Sequence, residues 1–257
     1  MLFENTIVGP IHSRRLGQSL GVNLLPLRHK HCSYDCVYCE CGWNSESEHA
    51  AMQFAQPDEI AQLLEQRLQQ LSAEGAHIDS FTFAGNGEPT MYPHFAEVAA
   101  EVVRLRNRYY PEAVTTLLTN ATQLVRPEIF AAVQQLDNPV LKLDAGTERM
   151  CHLINRGNEL GCTWQQLIDN LTRFGSKGII QTLLFEGQHA GERISNIEEI
   201  EFAAYVKLVK NIRPRYVMLY SLDRATPEKA LRKLSVEKLQ HYADKLQSEG
   251  IETKVYG

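Results

Sequence analysis

Between His31 and Cys41 the chain reads His-Cys-Ser-Tyr-Asp-Cys-Val-Tyr-Cys-Glu-Cys, which puts Cys32, Cys36 and Cys39 at the spacing C-x3-C-x2-C in one short polar loop. Their sulfurs can converge on a single inorganic centre without help from distant chain. Thiolates are soft ligands suited to zinc, copper(I) or iron-sulfur clusters, and a closed structural zinc site takes four protein ligands, usually as two separated pairs. No second C-x2-C or H-x3-H follows downstream. An iron-sulfur cluster normally takes four cysteines, so three on a cubane leave one iron open to a small molecule. Of the remaining thiols, Cys41 reads as a neighbour of that centre or a substitute ligand in a damaged one. Cys151 and Cys162 read as buried small hydrophobes.

Other chemistry-bearing residues cluster at segment ends. In Ala84-Gly85-Asn86-Gly87-Glu88-Pro89-Thr90, two glycines allow close backbone approach to a ligand, and the carboxylate can accept from an ammonium group. A tight loop is the competing reading. Thr119 and Asn120 offer small polar groups for ribose hydroxyls or a carboxylate, against a plain Asx turn. Alternation points Lys142 and Asp144 to the same side, as a substrate-facing pair or a structural salt bridge, with an imine-forming Lys142 as a third idea. The polar stretch Glu186 to Arg193 holds Glu186 and His189 and reads as a substrate lid or a solvent loop; Tyr220, Asp223 and Arg224 follow a later apolar run. Arg14, Arg15, Arg28 and Lys30 bracket the cysteine loop, and Lys229, Arg232 and Lys233 come late in the chain; together they suggest a local basic rim or two solvated loops.

The cysteine spacing, with Tyr38 just before the last cysteine, resembles the signature of the radical S-adenosylmethionine (SAM) superfamily. The resemblance implies a 4Fe-4S cluster on Cys32, Cys36 and Cys39 whose open iron chelates the amino and carboxylate groups of SAM. Reductive cleavage then gives a 5′-deoxyadenosyl radical that takes hydrogen from substrate. It also implies that Tyr38 packs beside the adenine and that a reductant such as flavodoxin or ferredoxin supplies the electron. Gly85, Asn86, Gly87 and Glu88 are similar to the superfamily's Gly-Gly-Glu segment, which binds the SAM amino group; the intervening Asn86 leaves the register open. Gly-Pro-Ile-His-Ser-Arg-Arg-Leu-Gly from Gly9 and Leu-Tyr-Ser-Leu-Asp-Arg-Ala-Thr-Pro from Leu219 resemble the branch containing wyosine-base synthases acting on tRNA. That branch implies that Tyr220 and Arg224 lie near substrate, and Tyr220 joins the Lys142 and Asp144 pair as the candidate catalytic residues. Such synthases carry a second cluster on three N-terminal cysteines, and no cysteine precedes Cys32 here, which counts against wyosine synthesis itself. An activase for a glycyl-radical enzyme, or a zinc or redox-sensing binding module, are the other readings.

These residues must be positioned by regular elements. Residues 1–19 read as a lead-in, Leu20 to Leu25 as a first buried strand, and Asn44 to Glu48 as a polar, mobile stretch. Pro57 to Leu71 repeats apolar residues at helical spacing, with Pro57 in the first turn and Asp58 and Glu59 at the positive dipole end. Strands at 78–83, 114–118, 140–143, 179–185 and 216–220 alternate with helices at 93–109, 127–136, 197–212 and 236–246. Another helix starts at a Thr163/Gln166 capping box and stops at Gly175. Residues 251–256 suit an edge strand. Successive strand-helix units argue for a parallel sheet with right-handed crossovers. Six units match the open (β/α)6 partial TIM barrel of radical SAM enzymes, an α/β fold whose ligands gather at the C-terminal ends of the strands.

A chain of 257 residues, 44% of them apolar, suits one domain over residues 1–257. Its net charge of −5 gives no whole-protein basic field, so any RNA contact needs a local patch. Four of the six cysteines crowd between residues 32 and 41, unlike a secreted disulfide framework, and predict a reducing cytoplasm. No basic-then-apolar leader and no apolar run of membrane-spanning length is present in the sequence, so no membrane association is expected.

Overall fold

The computed structural model describes residues 2–44, 53–157 and 161–257, so the polar stretch expected at Asn44 to Glu48 lies outside the described residues beyond Asn44. Contacts group the chain into two compact units. The first comprises Met1–Cys32, Asn44–Thr119 and Gln123–Pro139; the second comprises Ser33–Trp43, Asn120–Thr122 and Val140–Gly257.

In the first unit, β1 (Ile7–Ser13) runs antiparallel to β2 (Gly17–Val22), and β2, β3 (Ser80–Phe83) and β4 (Val114–Thr119) run parallel in that order. Strand β1 was not expected within the lead-in. Its pattern is half-exposed with Gly9-Pro10 in the middle, a composition that only an edge strand tolerates and that gives no alternation to detect. Strand β2 also starts and ends earlier than the apolar run suggested, because backbone pairing with β3 spans Ser19 to Val22. Helix α1 (Pro57–Ala73) buries the expected stripe Ile60, Leu64, Leu68 and Leu71. Helix α2 (Phe95–Tyr109) buries Phe95, Val98, Val102 and Leu105, and α3 (Pro127–Gln134) buries Ile129, Phe130 and Val133. All four residues of β3 are buried, the signature of a parallel strand covered on both faces. Its polar side chains are satisfied laterally: Ser19 Oγ and Thr82 Oγ1 lie 2.7 Å apart, and Ser80 Oγ donates to Thr116 Oγ1 at 2.8 Å.

In the second unit, β5 (Asn138–Lys142, from Val140 on), β6 (Ile179–Leu183), β9 (Val217–Tyr220) and β11 (Thr253–Tyr256) form parallel pairs in the order β5-β6-β9-β11. The expected edge strand is therefore present as β11. Helix α5 (Trp164–Phe174) has the predicted capping box, Thr163 and Gln166 bonding reciprocally; α6 is Glu199–Ile212 and α7 is Val236–Ser248. Two features depart from expectation. Helix α4 (Glu148–Asn155) follows β5, capped by Thr147. The supposed loop at residues 186–193 is a hairpin of β7 (Phe185–His189) and β8 (Glu192–Ser195), extended by β10 (Arg232–Lys233) into a small antiparallel sheet. Among the described residues no helix is long and apolar enough to cross a membrane.

Candidate functional site

In the first unit the loop after β3 is set by its glycines. A Cβ on Gly85 would sit 2.0 Å from Asn23 Oδ1, and one on Gly87, whose φ is +142°, would sit 1.8 Å from the His31 carbonyl oxygen. Only glycine permits that approach. The approach forms a β-bridge between His31 and Gly87, with His31 N–H donating to the Asn86 carbonyl (2.8 Å) and Glu88 N–H to the His31 carbonyl (3.0 Å). The Gly-Asn-Gly-Glu turn is thereby stitched to the residue that precedes Cys32. Asn86 is fully buried, and its amide donates to the carbonyls of Phe3 and Pro26 (both 2.9 Å), so its side chain anchors the loop. Glu88 is 2% exposed; its Oε1 accepts from Thr90 N–H (3.1 Å), Thr90 Oγ1 (2.5 Å) and Thr119 Oγ1 (2.6 Å). Thr119 at the end of β4 thus belongs to the Glu88 carboxylate. Arg14 and Arg15 occupy the β1–β2 turn and Arg28 is exposed, but Lys30 is 4% exposed and so drops out of any solvent-facing rim.

In the second unit the loop Ser33–Trp43 carries Cys36 and Cys39, with Cys39 N–H donating to the Cys36 carbonyl at 3.0 Å. Asn120 makes the Asx turn, Oδ1 accepting from Thr122 N–H (3.1 Å) and Oγ1 (2.8 Å), and its amide donates to Ser33 Oγ (2.9 Å). Asn120 takes the Asx-turn alternative, and the turn grips the start of the cysteine loop. The C-terminal end of α4 grips its middle, where Asp35 N–H donates to the Asn155 carbonyl (2.8 Å) and Val37 N–H to that of Ile154 (3.0 Å). These carbonyls have no partner within the helix and need one outside it.

Lys142 and Asp144 lie on the same side, as the alternation suggested, and Tyr38 and Tyr220 join them. Lys142 Nζ donates to Tyr38 Oη at 2.9 Å and lies 3.7 Å from Asp144 Oδ2; Tyr38 Oη in turn donates to Asp144 Oδ2. Asp144 Oδ1 accepts from Leu183 N–H at 2.9 Å. Burial, then the Asp144 charge, with Cys36 and Tyr220 adding, raise the Tyr38 phenol well above its ordinary range. Burial pulls the Lys142 ammonium down, but Asp144, Tyr220, Cys36 and Cys39 together hold it above its usual value. These neighbours favour the charged form of Lys142 within the group. Asn155, which the sequence did not flag, completes the group: its Nδ2 lies 3.1 Å from Asp144 Oδ2, 3.3 Å from Cys36 Sγ and 3.4 Å from Tyr38 Oη.

The other residues singled out in this unit have local partners. Glu186 pairs with Lys238 (3.2 Å) and His189 Nδ1 with Glu228 (2.9 Å), so they are strand residues held by different elements instead of one loop. Arg224 pairs with Glu40 (2.7 Å) and Asp223 with Lys233 (3.3 Å). None of the six cysteines is in a disulfide. Cys151 and Cys162, expected as buried small hydrophobes, are half-buried. Burial pushes Cys151 up to about 12, against a lowering hydrogen bond from Tyr34, and Cys162 up to about 11, which keeps both as inert thiols.

The chain matches the radical SAM superfamily over residues 28–201, and it belongs to that superfamily. It is 30% identical over 232 residues to a UPF0026 protein of Methanocaldococcus jannaschii, covering 89% of this chain and 67% of that protein. It is 27% identical over 238 residues to a protein named GTPase Obg of Brachyspira hyodysenteriae, covering 91% of this chain but only 32% of the relative's length. Among solved structures, a radical SAM methyltransferase from Sphaerobacter thermophilus superposes with a TM-score of 0.65 at 15% identity, covering 93% of this chain and 65% of that one. A TYW1 with a lysine-pyruvate adduct bound superposes with a TM-score of 0.60 at 13% identity, covering 90% and 73%. These likenesses show the fold, an α/β partial barrel of radical SAM type.

Proposed function

We propose that this chain is a radical SAM enzyme with Cys32, Cys36 and Cys39 as the ligands of one 4Fe-4S cluster. The donor set suits that group: three thiols on one loop, none of them in a disulfide, the cation Lys142 whose charge acts on Cys36 and Cys39, and an amide donor 3.3 Å from the Cys36 sulfur. When bound and reduced, the cluster supplies the electron that cleaves SAM, yielding the 5′-deoxyadenosyl radical and methionine. The chain's own residues do the rest. Backbone at Gly85 to Glu88, with the Glu88 carboxylate, receives the SAM ammonium; Tyr38 packs beside the adenine; Lys142, Asp144 and Tyr220 face the substrate. The observation that carries this reading is the His31–Gly87 bridge, because it ties the ammonium-accepting turn to the residue next to Cys32. Flavodoxin or ferredoxin serves as electron donor, and six cysteines without a disulfide suit a reducing cytoplasm. A tRNA substrate is the finer reading, supported by the resemblance of the segments starting at Gly9 and Leu219 to the wyosine-synthase branch and by the cations Lys229, Arg232 and Lys233.

The test is anaerobic reconstitution followed by iron and sulfide analysis and chromatography of SAM products. Four irons per chain, and 5′-deoxyadenosine formed after dithionite reduction, are expected; Cys32→Ala should lose both while Cys151→Ala keeps them. Zinc without sulfide, or a loaded protein that leaves SAM intact with dithionite and with flavodoxin, would overturn the reading.

A further inference from the structure

Asn155 is 2% exposed and stands where two kinds of anchor meet. Its carbonyl and that of Ile154 hold the backbone on both sides of Cys36, through Asp35 and Val37. Its side-chain amide has three acceptors within reach: Asp144 Oδ2 at 3.1 Å, Cys36 Sγ at 3.3 Å and Tyr38 Oη at 3.4 Å. A carboxamide nitrogen has two hydrogens. The Tyr38 oxygen already receives Lys142 Nζ at 2.9 Å and gives its own proton to Asp144. Asp144 Oδ2 and the Cys36 sulfur are the two nearer acceptors, and sulfur's larger radius makes 3.3 Å the closer approach, so the two hydrogens are assigned to them. The amide orientation is set as well, since Oδ1 accepts from Cys151 Sγ at 3.5 Å and flipping it would turn an acceptor toward Asp144.

A donor aimed at a ligand sulfur stabilises the electron-rich, reduced form of an iron-sulfur centre, because the added electron raises charge density on the sulfurs; hydrogen bonds to sulfur are among the levers that set cluster potentials. Resting on the cluster reading above, we propose that Asn155 is a positioning residue that donates to the Cys36 sulfur and raises the cluster's reduction potential. The Lys142–Tyr38–Asp144 array holds the amide in place. Cluster poise thus connects to the same side chains that face the substrate, so occupancy next to Lys142 and Asp144 would be felt at Cys36.

The experiment is an EPR-monitored redox titration of reconstituted wild type, Asn155→Ala and Asn155→Leu, alongside iron and sulfide content and thermal stability. Both variants should shift the midpoint to more negative potential with a full complement of iron. Leu keeps most of the volume and Ala does not, so a purely structural role would leave Leu near wild type. Should neither variant hold a cluster, wild type labelled with amide-15N asparagine decides. A 15N coupling to the reduced cluster is expected, and its absence overturns the inference. Unchanged midpoints in loaded variants also overturn it while leaving the cluster reading intact. Failure of wild type to assemble a cluster overturns both.

Discussion

Thr119 Oγ1 donates to Glu88 Oε1 at 2.6 Å, joining the end of β4 to the turn after β3 through one carboxylate oxygen. With Thr90 contributing two further donors, Glu88 is fixed in place before any ligand arrives. Such fixing lowers the ordering cost of binding an ammonium group. Glu88→Gln keeps the shape but removes the charge. A hydrogen bond to a charged group contributes about 1.5–3 kcal/mol, so SAM affinity should fall roughly ten- to hundred-fold, as read by equilibrium dialysis. Thr119→Val should weaken it less. Wild-type affinity in Glu88→Gln would assign the carboxylate to loop structure alone.

Gly87→Ala tests the turn from the other side. A methyl group at 1.8 Å from the His31 carbonyl, on a residue at φ +142°, has no flexible neighbour to displace. Overpacking of this kind costs about 1–3 kcal/mol, which for a chain of this size lowers Tm by roughly 2–4 °C per kcal/mol. Calorimetry should show that drop together with impaired SAM binding, because the bridge beside Cys32 is the part that moves.

Lys142 should not form an imine at neutral pH. Its ammonium lies 3.7 Å from Asp144 Oδ2 and donates to Tyr38 at 2.9 Å, and these neighbours more than offset the effect of burial on its charge. Cyanoborohydride with pyruvate at pH 7.5 should leave Lys142 unmodified by mass spectrometry. Asp144→Asn removes the counter-charge, lets burial pull the amine down, and should allow trapping. An adduct in the wild type would show that the ion pair opens readily.

Which parts of this site could be read from the sequence follows from the range of the interactions involved. The cysteine spacing, the turn at Gly85 to Glu88 and the shared side of Lys142 and Asp144 are local, fixed by residues a few positions apart. Asn155 depends on α4, a helix of 8 residues too short to show a periodic stripe. Its start is secured by Glu201, 54 positions away, which accepts from Thr147 N–H (3.1 Å) and Oγ1 (2.7 Å). The β7–β8 hairpin escaped for a related reason. Its turn at Ala190 and Gly191 uses positive φ at both positions, but the flanking residues Glu186 to Arg193 are polar and read as loop.

Alkaline stability should be limited by buried tyrosines. Burial, with Glu97 and Glu59 adding, pushes Tyr92 up to about 12; its hydroxyl donates to the Ala55 carbonyl at 2.8 Å. Burial also raises Tyr205, whose hydroxyl lies 2.6 Å from Thr182 Oγ1. The unfolded phenol titrates near 10, so the folded state holds its proton more tightly. Stability from this source is fully present below about pH 10 and is lost as pH rises toward 12. Tm should stay level with respect to these groups up to about pH 10 and then fall. Tyr92→Phe should soften the fall while costing about 1 kcal/mol at neutral pH for the lost hydrogen bond.

The RNA reading stands on a small surface. Lys229, Arg232 and Lys233 follow β9, and of these Lys229 bonds to the Thr226 carbonyl (2.9 Å) and Lys233 to Asp223 (3.3 Å). Arg232 is exposed on β10 with its backbone opposite Glu186. With a net charge of −5 the whole molecule repels phosphate, so affinity must come from such a patch and should decline steeply with salt. Each phosphate contact adds close to 0.9 to the slope of log affinity against log salt on duplex, and about 0.7 on single strands. If Arg232 and Lys233 each meet one phosphate, Arg232→Glu with Lys233→Glu should weaken tRNA binding at low salt and flatten the slope by roughly 1–2. SAM cleavage without substrate should be unaffected, because Lys233 pairs with Asp223 and both residues are exposed on β10. Filter binding across a salt series measures both quantities. Binding that is absent, or equal and salt-insensitive in the two proteins, would exclude this patch and favour a small-molecule or peptide substrate.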